Sequence, residues 1–279
     1  SSIFRAEDER SNQMSQSLSP TRLRSLFLSD LHLGARAARP GLVLDFLAAH
    51  EAETIYLVGD VFDLWHGGRI HWCDASEAVV TELSRRARAG SRVVYLAGNH
   101  DAVMREPGAA RLPEGWELRE ALTHRAADGQ RYLVLHGDQA DSRIFRFHIM
   151  TRIGSRAEAA VRALDAWLGG QRKAPHAPFH RSRIERAIAR FNSWFVMGGR
   201  FERRLVRLAE AVDAQGVICG HSHRPALREV AGVLYANCGD WVDSFTALTE
   251  ADDGALRLMS WGPDTVPAPQ PTGGRVLEV

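Results

Sequence analysis

The sequence lacks the features that mark membrane-spanning and disulfide-stabilised proteins. No uncharged apolar run reaches about 18 residues, so we expect no transmembrane helix. The first 22 residues contain no apolar stretch of roughly 7–15 residues, which argues against a secretory signal. The three cysteines, Cys73, Cys219 and Cys238, are too few and too scattered for a disulfide framework. We therefore expect a protein of the reducing cytosol.

Lysine is almost absent, and arginine concentrates the positive charge in one part of the chain. Lys173 is the single lysine among 35 basic residues, and the net charge is only +1. Residues 142–210 nevertheless hold 15 basic and 5 acidic residues. Such a block favours an anionic partner, namely phosphate, nucleic acid or a lipid headgroup. A solvated helical face rich in arginine would give the same pattern.

The 279 residues have the length and composition of a soluble globular protein. Apolar residues make up 45% of the chain and charged residues 25%, which is close to the average for such proteins. The Ser/Gln/Arg-rich residues 1–21 predict a disordered tail, and the proline-rich residues 263–279 predict a second one. Residues 22–262 are predicted to form the folded domain, with a mostly helical insertion over 142–212.

Short apolar runs alternate with helical patterns along the first half of the chain. The buried-strand patterns cover 23–30, 54–60, 92–101, 131–138 and 216–223. Helical patterns at 41–52 and 75–89 separate the first three strands, and this order predicts a parallel sheet of the α/β class. Several short strands follow residue 223, and we predict that they are antiparallel.

Each of these predicted strands ends in side chains that can bind a divalent cation. They are Asp30, His32, Asp60, Asn99, His136, His221 and His223. Carboxylate, imidazole and amide groups suit Mn²⁺, Fe, Zn²⁺ or Mg²⁺ rather than an ion that prefers thiolates. On extended backbone Asp30 and His32 would point the same way and hold one ion together, as would His221 and His223. Seven ligands suit two ions that share a carboxylate, about 3.5–4 Å apart.

The order of these motifs is more specific than any one of them. Taken alone, Asp-x-His or Gly-Asp is usually a capped turn or a satisfied core group. The full series is Asp30-x-His32, Gly59-Asp60, Gly98-Asn99-His100-Asp101, His136 and Gly220-His221-x-His223. It resembles the calcineurin-like metallophosphoesterases over roughly residues 24–260. The resemblance implies a four-layer α/β/β/α sandwich with a helical insertion, or lid, and a dinuclear site in the loops at its edge.

The resemblance also implies roles for individual residues. One ion would be held by Asp30, His32, Asp60 and His223, and the other by Asp60, Asn99, His136 and His221. Asp60 would bridge the two, and a water activated between them would attack phosphorus. His100 and Asn99 are the expected catalytic residues, with His100 protonating the leaving group or holding a phosphate oxygen. Asp63 and Asp101 are expected to orient a ligand imidazole or a loop.

A narrower resemblance rests on the segments FLSDLHLG, IYLVGDVFD, HGDQAD and NCGDWVDSFTALTE. They are similar to the UDP-2,3-diacylglucosamine diphosphatases of lipid A biosynthesis. These enzymes are Mn²⁺-dependent, act at the cytoplasmic face of the inner membrane and release UMP and 2,3-diacylglucosamine 1-phosphate. Their helical insertion covers the acyl chains, although no substrate contact within 142–212 can be assigned to a residue. Well-studied members have Arg where this chain has His100.

Three functions follow from these observations. The first is a di-metal pyrophosphatase for a nucleotide-linked glycolipid, with an anionic membrane surface as partner and no nucleic acid. The second is the same core acting on a soluble nucleotide phosphodiester or dinucleoside polyphosphate. The third, a non-catalytic scaffold, is disfavoured because every ligand position is filled. Trp194, Phe195 and Met197 lie among arginines and suit an apolar lid, but they could equally pack the insertion on the main body.

Overall fold

The computed structural model describes residues 20–64, 70–106, 112–140 and 199–262. The two predicted tails lie almost entirely outside these ranges, as do residues 142–198 of the predicted insertion. Within the described ranges the helices are α1 (Pro40–Ala49), α2 (Asp74–Arg88) and α3 (Arg200–Ala211). The strands are β1 (Thr21–Leu28), β2 (His50–Val58), β3 (Arg92–Leu96), β4 (Trp116–Arg119), β5 (Ala121–Arg125), β6 (Arg131–Leu135), β7 (Gly216–Cys219), β8 (Ala226–Val230), β9 (Val233–Asn237), β10 (Thr246–Glu250) and β11 (Leu256–Ser260).

The first sheet has six strands in the order β11-β10-β1-β2-β3-β4. Strands β1 to β4 are parallel, which confirms the parallel β-α-β-α-β unit predicted from the sequence. Helix α1 begins with Pro40, whose missing N–H costs nothing in a first helical turn. Helix α2 carries Asp74 and Glu77 in its first turn and arginines in its last, which complements the helix dipole. Both helices bury apolar residues in one cluster with this sheet.

The second sheet has five strands in the order β5-β6-β7-β9-β8. Its central strands β6, β7 and β9 are parallel, and the edge strands β5 and β8 are antiparallel to their neighbours. The two sheets share a buried apolar cluster to which Phe27 and Val94 contribute from the first, and Val134 and Ile218 from the second. The predicted α/β class and the two-sheet arrangement are confirmed.

The prediction that the strands after residue 223 are antiparallel is confirmed for the pairs they form with one another, β8 with β9 and β10 with β11. The sequence did not predict that β9 also lies parallel to β7. The reason is the path of the chain. After β7 it returns along the sheet edge as β8, so β9 runs in the direction of β7 again and enters the space between them. β10 then joins the first sheet beside β1.

The chain divides into two compact units, one of residues Ser1–His136 and Val206–Val279, the other of Gly137–Leu205. In the second unit the described residues include the short helical turn Asp138–Ala140, whose Ala140 carbonyl accepts a hydrogen bond from Arg204 at 3.0 Å. In the described residues we find no helix with the length and apolar character needed to cross a membrane. The predicted lid function of the insertion stays a prediction.

Candidate metal centre

The predicted ligands lie in loops at the carboxyl ends of five parallel strands. Asp30 and His32 follow β1, Asp60 follows β2, Asn99 follows β3, His136 follows β6, and His221 and His223 follow β7. Three of these strands belong to the first sheet and two to the second. Carboxyl ends of parallel strands meet at one edge of a sheet, and here two such edges are brought together. All seven side chains, together with His100, therefore lie around one centre.

The backbone at these ligands is left-handed rather than extended. Positive φ angles occur at Asp30 (55°), His32 (47°), Asp60 (51°), His221 (66°) and His223 (54°). The expectation that Asp30 with His32, and His221 with His223, lie on extended backbone is thus wrong. The strands end before the ligands begin, and each loop turns sharply at once. Asp and His are among the residues that tolerate this region best, which suits a turn that must also carry a ligand.

The first half of the centre consists of Asp30, His32 and His223, whose ligand atoms lie within 4.8 Å of one another. Oδ1 of Asp30 lies 3.2 Å from Nε2 of His223 and 3.8 Å from Nε2 of His32. The two Nε2 atoms are 3.3 Å apart. This Oδ1 atom is buried and accepts no hydrogen bond of ordinary geometry from the described residues. A carboxylate oxygen and two imidazole nitrogens converging in this way suit a borderline divalent cation.

The second half consists of Asp60, His136 and His221, again within 4.8 Å of one another, together with Asn99. Nε2 of His136 lies 3.4 Å from Oδ2 of Asp60 and 3.3 Å from Oδ1 of Asn99. The same Asn99 oxygen lies 2.9 Å from Nδ1 of His221. Nδ1 of His136 donates a hydrogen bond to the carbonyl of Val58 at 2.9 Å, which leaves Nε2 to face the centre.

Asp60 lies between the two halves. It forms a third cluster with His32 and His100, so its carboxylate is within reach of ligands from both sides. The backbone N–H of His100 donates to Oδ1 of Asp60 at 2.7 Å, and the His100 ring places Nε2 4.0 Å from Oδ2. Nδ1 of His100 lies 2.9 Å from Oδ1 of Asp63. The arrangement suits the predicted bridge, while the roles of Asp60 as ligand and His100 as acid remain predictions.

Comparison with protein families identifies the chain. The model of the family described as calcineurin-like phosphoesterase matches residues 23–225. The chain belongs to the calcineurin-like phosphoesterase family. It is accordingly a hydrolase of metal-dependent type, as the motif series predicted. The clusters described above supply the Asp and His side chains that such a phosphoesterase needs for its divalent metals.

Three curated relatives of this phosphoesterase carry the name UDP-2,3-diacylglucosamine hydrolase. The protein from Shewanella pealeana is 27% identical, and so is that from Neisseria gonorrhoeae. The protein from Xanthomonas axonopodis pv. citri is 29% identical. Each alignment covers 83% of this chain and 96% of the relative.

Among solved structures, the chain is similar to Vps29 from Entamoeba histolytica and to YfcE, a phosphoesterase from E. coli. The sequence identities are 17% and 14%, and the TM-scores are 0.41 and 0.42. Both comparisons cover 85% of this chain and 99% of the other. Similarity of that size bears on neither substrate nor activity.

Three glycines of the phosphoesterase motifs are packed against the ligands. A Cβ atom on Gly59 would overlap the ring of His136, and one on Gly98 would overlap the Asp60 carboxylate. A Cβ on Gly220 would overlap the side chain of Ser29, which contacts Oδ2 of Asp30. Only hydrogen fits at these places, because the ligand loops of neighbouring strands pass so close together. This explains why Gly precedes the ligand in three of the motifs.

The electrostatics of the centre keep its carboxylates charged. Burial alone would raise the pKa of Asp30, but the neighbouring His223 lowers it to about 2. Burial would likewise raise the pKa of Asp60, and His136 holds it well below its usual range. Burial lowers the pKa of His32 to about 4, so this imidazole is neutral near pH 7 and can offer a lone pair. A divalent cation binds ionised carboxylates and neutral imidazoles, so the charge states of Asp30, Asp60 and His32 favour cation binding.

Asp101 has the loop-holding role that the sequence suggested. Its Oδ2 accepts hydrogen bonds from the backbone N–H of Val61 at 2.8 Å and of Phe62 at 3.2 Å. Its Oδ1 accepts one from Gly98 at 2.5 Å. The buried carboxylate thereby joins the loop after β2 to the loop after β3. These are the loops that carry Asp60 and Asn99, so Asp101 fixes their spacing.

One contact of the centre was missed by the sequence reasoning. The fully buried Asp240, in the loop after β9, places Oδ2 3.5 Å from Nδ1 of His223. Burial lowers the pKa of His223, but Asp30 and Asp240 together raise it well above its usual value. The sequence held a sign of this contact, because Gly239-Asp240 follows β9 after one residue and resembles Gly59-Asp60, which directly follows β2.

Proposed function

We propose that this phosphoesterase cleaves the pyrophosphate of UDP-2,3-diacylglucosamine, giving UMP and 2,3-diacylglucosamine 1-phosphate, in lipid A biosynthesis. The observation that carries the phosphohydrolase chemistry is the set of three Asp/His clusters, of which two share Asp60 and two share His32. Support for this substrate comes from the relatives named UDP-2,3-diacylglucosamine hydrolase, which align over 96% of their own length. An alignment of that extent includes the insertion as well as the common core.

Two divalent cations, with Mn²⁺ as the expected ion, fit the donor set. Asp30, His32, Asp60 and His223 would hold the first, and Asp60, Asn99, His136 and His221 the second. The buried Oδ1 atom of Asp30, which accepts no ordinary hydrogen bond from the part of the chain that the structure describes, supports this assignment. When bound, such ions supply Lewis-acid activation of water and neutralise charge on phosphate oxygens.

The side chains around the ions have their own tasks in the proposed reaction. Asp63 holds Nδ1 of His100, so Nε2 of that ring is directed to the site. We assign His100 to donate a proton to the leaving oxygen or to hold a phosphate oxygen. The Asn99 side-chain oxygen lies 3.3 Å from Nε2 of His136 and 2.9 Å from Nδ1 of His221, so all three atoms can face the second ion. Asn99 would therefore act in catalysis by completing the ligand set of the second half of the centre.

We further propose that the arginine-rich insertion covers the acyl chains and attracts an anionic membrane at the cytoplasmic face. In its described part, helix α3 exposes Arg203 and Arg207 together with Leu208, which is 40% exposed. Arginines that neutralise headgroups next to apolar side chains are typical of interfacial helices. No nucleic acid is part of this proposal.

The substrate proposal is tested by incubating the purified chain with UDP-2,3-diacylglucosamine and Mn²⁺ and measuring UMP. We expect UMP from the wild type and none from Asp60→Ala. A dinucleoside polyphosphate and a nucleotide phosphodiester are assayed in parallel at the same concentration. Turnover of either soluble compound without turnover of the lipid would overturn the lipid assignment while leaving the phosphohydrolase intact.

The lid proposal is tested by replacing Trp194, Phe195 and Met197 with alanine. Each buried methylene of an acyl chain is worth about 0.8 kcal/mol, so loss of a lid should affect long-chain substrate far more than bis-p-nitrophenyl phosphate. Liposome co-sedimentation at low and high salt tests the membrane contact, because screening weakens it. Equal loss on both substrates in a folded variant would favour the soluble-substrate alternative.

A further inference from the structure

The carboxylate of Asp240 lies behind a ligand of the centre rather than in it. Its Oδ2 atom faces Nδ1 of His223 at 3.5 Å, and the opposite ring nitrogen, Nε2, faces Oδ1 of Asp30 at 3.2 Å. The imidazole ring of His223 thus lies between two carboxylates, with one ring nitrogen facing each. A carboxylate that accepts a hydrogen bond from the far nitrogen of a metal-binding imidazole fixes the tautomer and orientation of the ring. It also makes the other nitrogen a stronger electron-pair donor to the metal.

The loop that carries Asp240 is held by hydrogen bonds within the loop and by one to the loop after β1. Oδ1 of Asp240 accepts hydrogen bonds from the backbone N–H groups of Val242 at 2.8 Å and Ser244 at 3.3 Å, and so holds the turn. Oδ2, which faces His223, also accepts a hydrogen bond from the Ser244 hydroxyl at 3.3 Å. The N–H of Trp241 donates to the carbonyl of Asp30 at 3.1 Å. The same loop therefore supports both Asp30 and His223, which belong to the same half of the centre.

The two halves differ in how their imidazoles are held. Nδ1 of His136 donates to a main-chain carbonyl, that of Val58, within the other half. Asp240 makes no contact in that half among the described residues. It also lies beyond residues 23–225, the part of the chain that matches the family model.

We propose that Asp240 is a positioning residue for the metal ion held by Asp30, His32 and His223, and sets the affinity of that ion alone. This inference rests on the two-ion centre proposed above. Removal of such a partner typically lowers metal affinity about 10–100-fold. The other ion keeps its own ligands and its own backbone anchor, so its affinity should not change.

The experiment measures Mn²⁺ binding, without substrate, by titration calorimetry and by electron paramagnetic resonance of free Mn²⁺. The variant is Asp240→Asn, whose amide oxygen can still accept the hydrogen bonds of the turn while its NH₂ group no longer accepts from His223. The matched control is Asp243→Asn, an exposed carboxylate of the same loop. Circular dichroism and thermal unfolding establish that both variants are folded.

We expect two Mn²⁺ ions per chain in the wild type and in Asp243→Asn. Asp240→Asn should show one ion of unchanged affinity and one bound about 10–100-fold more weakly. Unchanged affinity for both ions in folded Asp240→Asn would overturn the inference and leave the centre standing. Equal weakening of both ions would assign Asp240 a general structural role instead. A wild type that binds fewer than two ions would contradict the proposed centre itself.

Discussion

The two halves of the candidate metal centre are built from similar side chains but are supported in different ways. In the half that contains Asp30 and His32, Nδ1 of His223 faces a side chain, the carboxylate of Asp240. In the other half, Nδ1 of His136 donates a hydrogen bond to the main-chain carbonyl of Val58, at the end of β2. A carbonyl of a central strand cannot be altered by substitution, whereas a carboxylate can. A substitution at Asp240 can therefore change how the His223 ring is held, whereas the contact that holds the His136 ring is part of the main chain.

The largest loss of turnover is expected for substitution of Asp60, which lies between the two halves. Asp60→Ala would remove a proposed ligand of both ions and should abolish turnover, a loss of several orders of magnitude, because the metals would supply both the nucleophile and charge stabilisation. Asp60 has a positive φ, so Asp60→Asn serves as a second variant with less backbone strain. Turnover and metal content per chain are measured together. Substantial activity in a folded, metal-free variant would refute the two-ion mechanism.

The next effect concerns His100, which contacts Asp60 without belonging to either set of proposed ligands. His100→Ala should lower kcat by about 10²–10⁴ and leave two ions per chain, because a proton donor is lost and no metal ligand is. Elemental analysis of the purified variant provides the check. A loss of one ion would show that His100 is itself a ligand, and the division into two halves would have to be redrawn.

A smaller loss of metal affinity, confined to one half of the centre, is expected at Gly59. A Cβ there would overlap the His136 ring, so Gly59→Ala should lower the affinity for one Mn²⁺ ion by at least about tenfold. The affinity for the ion near Asp30 and His223 should not change. Gly90→Ala is the matched control. Gly90 also has a positive φ, but its Cβ would meet no atom within 4 Å. Equal weakening of both ions by Gly59→Ala would mean that the halves are not independent.

The smallest effect is expected at a buried pair outside both halves. Oε2 of Glu250 on β10 lies 2.9 Å from Nε2 of His124 on β5, and Oε1 lies 3.2 Å from Nε of Arg24 on β1, so the pair joins the two sheets. Glu250→Gln should lower the free energy of unfolding at pH 7 by roughly 1.5–3 kcal/mol, because hydrogen bonds to a charged group are lost. Metal content should stay at two ions. The exposed Glu229→Gln, on β8, is the control.

The pH dependence of that loss gives a second readout. Burial raises the pKa of Glu250, but His124, Ser25 and the Ala127 N–H outweigh burial and lower it below its usual 4.5. The folded state then binds fewer protons than the unfolded state, so this stabilisation is present above about pH 4.5 and is lost as the pH falls. Urea unfolding at pH 7 and below pH 4 should show the difference between wild type and Glu250→Gln shrinking. A constant difference would contradict the ionic contribution.

Much of the fold was accessible from the sequence because its signals are local. The apolar runs that became β1, β2 and β3 and the periodic segments that became α1 and α2 lie next to one another in the chain. The pairing of β10 with β1 joins residues more than 200 positions apart, and no local pattern encodes it. The assignment of strands to two sheets therefore came from the family resemblance and not from periodicity.

The residues of the candidate centre could be found from the sequence for a different reason, since each lies within a few residues of a strand end and carries its chemistry in its side chain. The conformation of the ligands was not predictable in this way. The alternation of side chains along a strand suggested extended backbone at Asp30 and His32, but the strand stops at Leu28. Asp240 was missed because its partner, His223, lies on another strand end, and only the packing of the second sheet brings the two together.

The left-handed backbone at five of the ligands has a consequence for engineering this enzyme. Such conformations cost a non-glycine residue on the order of 1 kcal/mol each, and the surrounding packing must supply that energy. Glycine adopts them freely. Glycine at Asp30 or Asp60 would relieve that backbone cost, but it would leave a cavity and deprive the backbone N–H of His221 or of His100 of its acceptor, so it should not stabilise the fold. Thermostabilisation of this chain therefore requires that Asp30 and Asp60 be held constant.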